Sequence, residues 1–194
     1  MPEIAGILLA AGRGERFDRP GNKLLAPLAD GRPVGVAALS NMRAAGIEVY
    51  AVVAAPDDRL AASLASQAVR LVVNPDAGNG MGSSLACGIA AAAHAQAWVV
   101  GLADMPWIRS STVRAVIDAL RGGAVLAAPR YRGRRGHPVG FGTPFRAALL
   151  ALGGRSGARA LLEQHRAELK LVDVDDPGIL VDIDTPGDLD APPG

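Results

Sequence analysis

One cysteine, Cys87, stands in a chain of 194 residues. That excludes an internal disulfide and any cysteine-rich metal centre. Aromatic side chains make up only 4% of the chain, so a core has to be built mainly from Ala, Val, Leu and Ile. Charge of one sign is lacking as well. Twenty Lys and Arg face 19 Asp and Glu, for a net +1, which gives no global pull toward nucleic acid. No apolar stretch approaches the roughly 18 residues that span a bilayer. The first apolar run is only strand-length, and no basic segment precedes it. The expectation is a soluble, cytoplasmic protein with no membrane or nucleic-acid partner. Lysine is scarce too: Lys23 and Lys170 are the two lysines, and the remaining cations are arginine.

What is present is rhythm. Apolar runs at Ile4–Leu9, Glu48–Ala54, Val69–Val73, Ala97–Leu102 and Val125–Ala128 read as strands. Helical patterns at Val34–Ala45, Asp58–Gln67, Ser83–Ala95 and Ser111–Arg121 alternate with them. Gly46 suits a helix C-terminus, Asp57 or Asp58 a helix start, and Ser110 or Ser111 a cap. Alternation of this kind predicts an α/β fold with a mostly parallel central sheet covered by helices on both faces. After residue 129 the pattern changes. Short strands at His137–Phe141, Leu169–Val174 and Leu180–Ile183 flank helices at Pro144–Ala151 and Ser156–Arg166. This reads as a mixed C-terminal extension of one domain over residues 1–190, with a frayed Pro/Gly tail at 191–194.

Ligands of open α/β sheets bind beyond the carboxyl ends of the strands, and unusual residues collect there. The first strand breaks at Gly12-Arg13-Gly14 into a loop carrying Arg13, Arg16, Arg19 and Lys23. Glycines let backbone N–H groups approach a ligand, and clustered cations favour a facing anion. The loop therefore fits a polyphosphate. It is neither of two familiar loops. A dinucleotide fingerprint needs a third glycine where Phe17 stands, and a P-loop needs Ser or Thr where Leu24 follows Lys23. Lys23 is a compact ammonium in a chain that otherwise uses arginine, which suits a point contact with one phosphate oxygen.

Asp104 directly follows the run ending at Ala103. With phosphates opposite, its natural partner is Mg²⁺; the alternative is a helix cap. Asp182 and Asp184 share one side of a strand-like segment, and either or both complete a metal shell, with Asp184 favoured as ligand. Gly78-Asn79-Gly80-Met81-Gly82-Ser83-Ser84 offers backbone groups at close range, suited to the edge of a base. Ser83 is either a further contact or the N-cap of the next helix. Arg134-Arg135-Gly136-His137-Pro138 is a candidate cradle for a second anionic substrate. The segment Gly153–Arg159 repeats the logic of an anion at a helix start. His137 is either a base or structural. Cys87 reads as packing, and His94 and His165 as surface helix residues. No Ser-His-Asp or Cys-His constellation is evident.

Taken in order, these pieces resemble the MobA-like nucleotidyltransferases, specifically the molybdenum cofactor cytidylyltransferases. The matching segments are Leu9-Ala-Ala-Gly-Arg-Gly-Glu-Arg-Phe17 with Lys23-Leu-Leu25, Asn79-Gly-Met-Gly-Ser-Ser-Leu85, Ala103-Asp-Met-Pro106, Gly136-His-Pro-Val139, Gly157-Ala-Arg159 and Asp182-Ile-Asp-Thr-Pro186. The resemblance implies a single-domain, Rossmann-like (GT-A-like) nucleotidyltransferase fold. It implies transfer of CMP from CTP to the phosphate of a pterin cofactor, with Mg²⁺ or Mn²⁺. Gly12, Arg16 and Lys23 would hold the triphosphate, with Ala10, Ala11, Arg13 and Gly14 in the same loop. Asn79, Gly80, Met81, Gly82 and Ser83 would lie at the base, Asp104 and Asp184 at the metal, and Arg135, His137 and Arg159 at the acceptor. The catalytic set would be Lys23, Arg16 and Asp104. A molybdoenzyme or its maturation chaperone would be the protein partner. The Ala10-Ala11-Gly12 spelling is similar to cytidylyl enzymes, whereas guanylyl relatives usually carry a second glycine where Ala11 stands. Two departures bear on the substrate: Phe17-Asp18 stands where Met-Gly is common, and Gly187 where an acidic residue is expected. A different base, a sugar or polyol phosphate acceptor, and a non-catalytic cofactor carrier are the alternatives.

Overall fold

The computed structural model describes residues 3–12, 22–55, 59–67, 69–154 and 157–189. The expected tail at 191–194 lies outside the described residues, as do the start of the second helix at Asp57 and Asp58 and the segment Arg155–Ser156. Eight strands form one sheet: β1 (Ile4–Leu9), β2 (Glu48–Val53), β3 (Arg70–Val73), β4 (Ala97–Leu102), β5 (Leu126–Tyr131), β6 (Arg134–Arg135), β7 (Val139–Gly142) and β8 (Leu169–Asp173). Their order is β3-β2-β1-β4-β7-β5-β6, with β8 also paired to β5. The β1–β4 portion is parallel, β7 runs antiparallel to both β4 and β5, and β8 is parallel to β5. The helices are α1 (Val34–Arg43), α2 (Arg59–Ala65), α3 (Met81–Ala91), α4 (Ser110–Arg121), α5 (Arg146–Leu150) and α6 (Arg159–Gln164).

Two apolar cores sandwich the sheet, as the alternation of side chains along a strand requires. Ile4, Leu8, Val49, Ala51 and Val99 face α1, α2 and α4 through Leu39, Leu64 and Ile117. Ala5, Ile7, Val52, Trp98 and Val100 face α3, α5 and α6 through Leu85, Ile89, Leu149 and Leu162. With few aromatics available, the layers close by shortening the distance between backbones. A Cβ at Gly88 of α3 would sit 2.6 Å from Ile7 Cγ2 and 3.0 Å from Val52 Cγ2.

The chain winds from β1 outward to β3 and then returns past β1 to β4. The loops after β1 and β4 therefore part on opposite sides, which opens a crevice at the strands' carboxyl ends. Single backbone bonds prolong the ladder into those loops: Ala10 N donates to Val52 O, Ala103 N to Leu9 O and Asn74 N to Val53 O, at 2.9–3.0 Å.

Three local expectations are corrected. Leu180–Ile183 is not a strand: Pro177–Leu180 is a 3₁₀ turn, and Ile183 makes one backbone bond there, to Asp104 O at 2.8 Å. One rung does not make a ladder. The third helix starts at Met81 rather than Ser83, because Gly80 at φ 113° turns the chain directly into it. Ser110 and Ser111 are helical residues, not caps. The cap's work is done from a distance: buried Asp176 accepts from Arg109 N and the Thr112 hydroxyl at the start of α4, and from Gly178 N.

Gly88→Ala measures how tightly α3 sits on the sheet. Helix propensity favours Ala by about 1 kcal/mol, but the methyl meets two stiff β-branched side chains, and overpacking costs about 1–3 kcal/mol. The expected outcome is a net loss of up to about 2 kcal/mol in a urea titration at unchanged m-value. A stabilised variant would mean the helix can lift off freely.

Candidate functional site

Lys23 begins the 3₁₀ turn Lys23–Leu25, which buried Leu24 pins to the core and Asn22 caps by accepting from Leu24 N. That anchoring points the lysine inward, leaving it 8% exposed. Its Nζ donates to Asp104 Oδ2 at 2.8 Å, to Asp184 Oδ1 at 3.2 Å and to the Ile183 carbonyl at 2.8 Å. Burial by itself pulls the ammonium's pKa down. The hydrogen bonds and charges of Asp104 and then Asp184 outweigh that and hold it above the ordinary lysine value. The group stays charged through the neutral range.

Asp104 lies just past β4, two residues beyond Leu102, and its side chain faces Lys23 rather than capping α4. Asp184 is brought alongside by the single Ile183–Asp104 backbone bond. Its loop is held by Asp188, whose Oδ2 accepts from Asp184 N, Thr185 N and the Thr185 hydroxyl. Those bonds hold the Asp188 carboxyl below the usual carboxylate range. Asp188, not Asp184, thus secures the short turn Pro186–Leu189. Carboxylate oxygens of Asp104, Asp182 and Asp184 all lie within 4.8 Å of one another, the one such metal-capable cluster among the described residues. Three hard oxygen donors fit Mg²⁺ or Mn²⁺ and suit softer metals poorly.

The glycine loop after β3 is organised by Asn74, which sequence reasoning placed at the start of the Asn74–Ser84 segment of the crevice without giving it a role. Its buried amide donates to the hydroxyls of Ser83 at 3.1 Å and Ser84 at 3.0 Å, and its carbonyl accepts from Asp76 N. An Asn directly at a strand end before a glycine loop was the available signal. Ser83 is no N-cap. Its hydroxyl donates back to the Gly80 and Asp76 carbonyls. Two glycine N–H groups of this loop are already engaged: Gly80 N donates to Ala77 O and Gly82 N to Gly154 O. A Cβ at Gly82 would sit 2.8 Å from the Gly153 carbonyl oxygen. Residues 79–83 therefore rest on Gly153 and Gly154, and Met81 lies across Gly157.

His137 precedes β7, with its Nδ1 shielded and without a hydrogen-bond partner. Burial lowers its pKa and Arg135 adds to that, against the opposing effects of Asp104 and the Val100 carbonyl. The ring is thus neutral at pH 7 and near enough to Asp104 to feel its charge. Arg135 is exposed on the two-residue strand β6. Arg159 is exposed on α6 and pairs with Glu163 at 3.0 Å. Neither is drawn into the Lys23 cluster. Ala10 is buried and Gly12 exposed at the end of β1, while Arg13, Gly14 and Arg16 lie outside the described residues. Burial pushes the Cys87 thiol's pKa up, which fits packing rather than nucleophilic chemistry. Among the described residues no helix is long and apolar enough to cross a membrane.

The MobA-like NTP transferase domain matches residues 6–169. Nicotine blue oxidoreductase of Paenarthrobacter nicotinovorans is 35% identical over 95% of this chain and 94% of its own. Among solved structures, Rv0371c of Mycobacterium tuberculosis H37Rv superposes with a TM-score of 0.82 at 28% identity, over 96% of this chain and 95% of that one. The same protein has been solved as a manganese complex, with a TM-score of 0.76 at 27% identity over 97% and 94%. A nucleotidyl transferase from Methanothermobacter thermautotroptrophicus gives a TM-score of 0.81 at 25% identity, over 96% and 94%.

Asn74→Ala tests the organisation of the glycine loop. Losing a buried amide with three partners is expected to cost about 1–3 kcal/mol, read by urea denaturation. It should also weaken nucleotide binding in calorimetry. Unchanged stability would show that the loop holds its shape without it.

Proposed function

This chain belongs to the MobA-like NTP transferases, and we propose that within that family it transfers CMP from CTP to the phosphate of a molybdopterin-type cofactor, releasing pyrophosphate. The observation that carries the reading is the convergence of Lys23, Asp104, Asp182 and Asp184 beyond the strand ends. Asp104 and Asp184, with Asp182 beside them, would hold a divalent cation, which when bound neutralises charge on the nucleotide's phosphates. The loop from Ala10 through Gly12, Arg13, Gly14 and Arg16 to Lys23 would cradle the triphosphate. The 79–83 loop, braced by Asn74 and by Gly153–Gly154, would sit at the base. The Ala10-Ala11-Gly12 spelling supports cytosine.

The acceptor phosphate is its own nucleophile. A phosphate monoester has a second pKa of about 6 and is mostly dianionic at neutral pH, so no general base is required. Attack in line on the α-phosphorus then needs positioning and charge neutralisation from the protein. Arg135 and Arg159, both exposed, would supply cations for the acceptor's phosphate. A molybdoenzyme or its maturation chaperone would take the product.

A second reading follows from the 35% identical relative: a reductase acting on a substrate of the class in that relative's name. Against it stands the missing third glycine at Phe17.

Thermal stabilisation by CTP, GTP, ATP, UTP, NADH and NADPH, each with Mg²⁺, separates the two. A ligand at 100 times its Kd adds about 2.7 kcal/mol. The expected outcome is selective stabilisation by CTP, abolished in Asp104→Ala. Selectivity for another nucleoside triphosphate would replace the base and keep the reaction. A response to NADH or NADPH alone would overturn the transferase reading.

A further inference from the structure

The Lys23 ammonium and a bound cation contend for the same two carboxylates. All three ammonium hydrogens are committed, to Asp104 Oδ2, Asp184 Oδ1 and the Ile183 carbonyl. Asp104 and Asp184 each also bring a carboxylate oxygen into the cluster with Asp182. A divalent cation on these carboxylates would stand a few ångströms from the ammonium, in a setting where like charges are poorly screened. The lysine is too buried for water to replace its partners at little cost.

Resting on the metal-dependent transferase reading above, we propose that Lys23 is an internal counter-ion that exchanges partners. It holds Asp104 and Asp184 until a metal-bound polyphosphate arrives, then passes from the carboxylates to a phosphate oxygen while the cation takes the carboxylates. The ammonium leaves the carboxylates for phosphate as the cation replaces it there, so no charge is stranded. Metal alone must displace the ammonium with no anion to receive it. Polyphosphate alone must draw the ammonium away from Asp104 and Asp184 with no metal to take its place. Both binding steps are unfavourable singly and favourable together, which makes metal and polyphosphate reciprocal effectors at one site. Lysine serves this role better than arginine, because a point charge on a flexible stem can swing between two acceptors.

The composition supplies a direct probe. Lys23 and Lys170 are the two lysines, and Lys170 is exposed on β8. Protein labelled with ¹⁵N at lysine Nζ therefore yields a signal for Lys23 with Lys170 as internal reference. The expected result is a Lys23 resonance unmoved by inorganic triphosphate alone but shifted by Mg²⁺ and triphosphate together, with Lys170 unchanged. In parallel, Mn²⁺ binding is followed by the electron paramagnetic resonance of the free ion. Lys23→Met is expected to bind Mn²⁺ alone about tenfold more tightly than the wild type, since a competing charge is gone. It should also lose the gain in Mn²⁺ affinity that triphosphate gives the wild type, and Asp104→Asn should lose Mn²⁺ binding altogether.

A Lys23 signal unmoved when both ligands are present would overturn the exchange. So would equal or weaker Mn²⁺ binding by Lys23→Met, or Mn²⁺ binding by neither protein. The wild-type spectra decide the question if Lys23→Met does not fold. Because the probes are Mn²⁺ and inorganic triphosphate, these results stand apart from whether CTP is the chosen nucleotide.

Discussion

The contact of Lys23 with Asp104 and Asp184 is the constraint on which the site depends. It ties together residues 81 and 161 positions apart in the chain. One partner lies at the start of the domain, one past the central strand and one in the last described segment. Like carboxylates within 4.8 Å of one another repel unless a cation stands among them. The ammonium stands among them here, and the Ile183 carbonyl fixes its remaining hydrogen. The lysine thereby gives three separate loops one common geometry.

The sheet makes that geometry possible. Parallel strands send their carboxyl ends to one edge, and the reversal at β1 parts the neighbouring loops. A core poor in aromatics is closed by glycines, which bring helices down onto strands. Gly88 rests on Ile7 and Val52, and Gly140 of β7 on Val116 and Leu120 of α4. The same device sets Gly82 against Gly153 and Gly154. Close backbone approach therefore builds both the support and the rim of the site.

Much of this was legible because apolar runs report burial. Ile4–Leu9 and Ala97–Leu102, buried on both faces, match their strands residue for residue. Where burial is partial, the pattern misleads. Leu180–Ile183 has strand-like spacing, yet its one rung to Asp104 leaves it irregular. The two-residue strand β6 is too short and exposed to show any period. Helix starts were read from serines, but α4 borrows Asp176 from 67 residues away and α3 turns in on Gly80. Long-range hydrogen bonds of this kind have no local signature. Asp104, Asp184 and Lys23 could be named from loop position and family resemblance. That the lysine faces the carboxylates could not, since it depends on how residues 22–25 and 181–184 pack.

The most direct test of the account is anomalous diffraction from crystals grown with Mn²⁺ and a nucleoside triphosphate. The account predicts one strong peak at coordinating distance from the Asp104 and Asp184 carboxylates, with the Lys23 ammonium on a phosphate oxygen. A peak elsewhere, or density for the nucleotide with Lys23 still bound to both carboxylates, would contradict it.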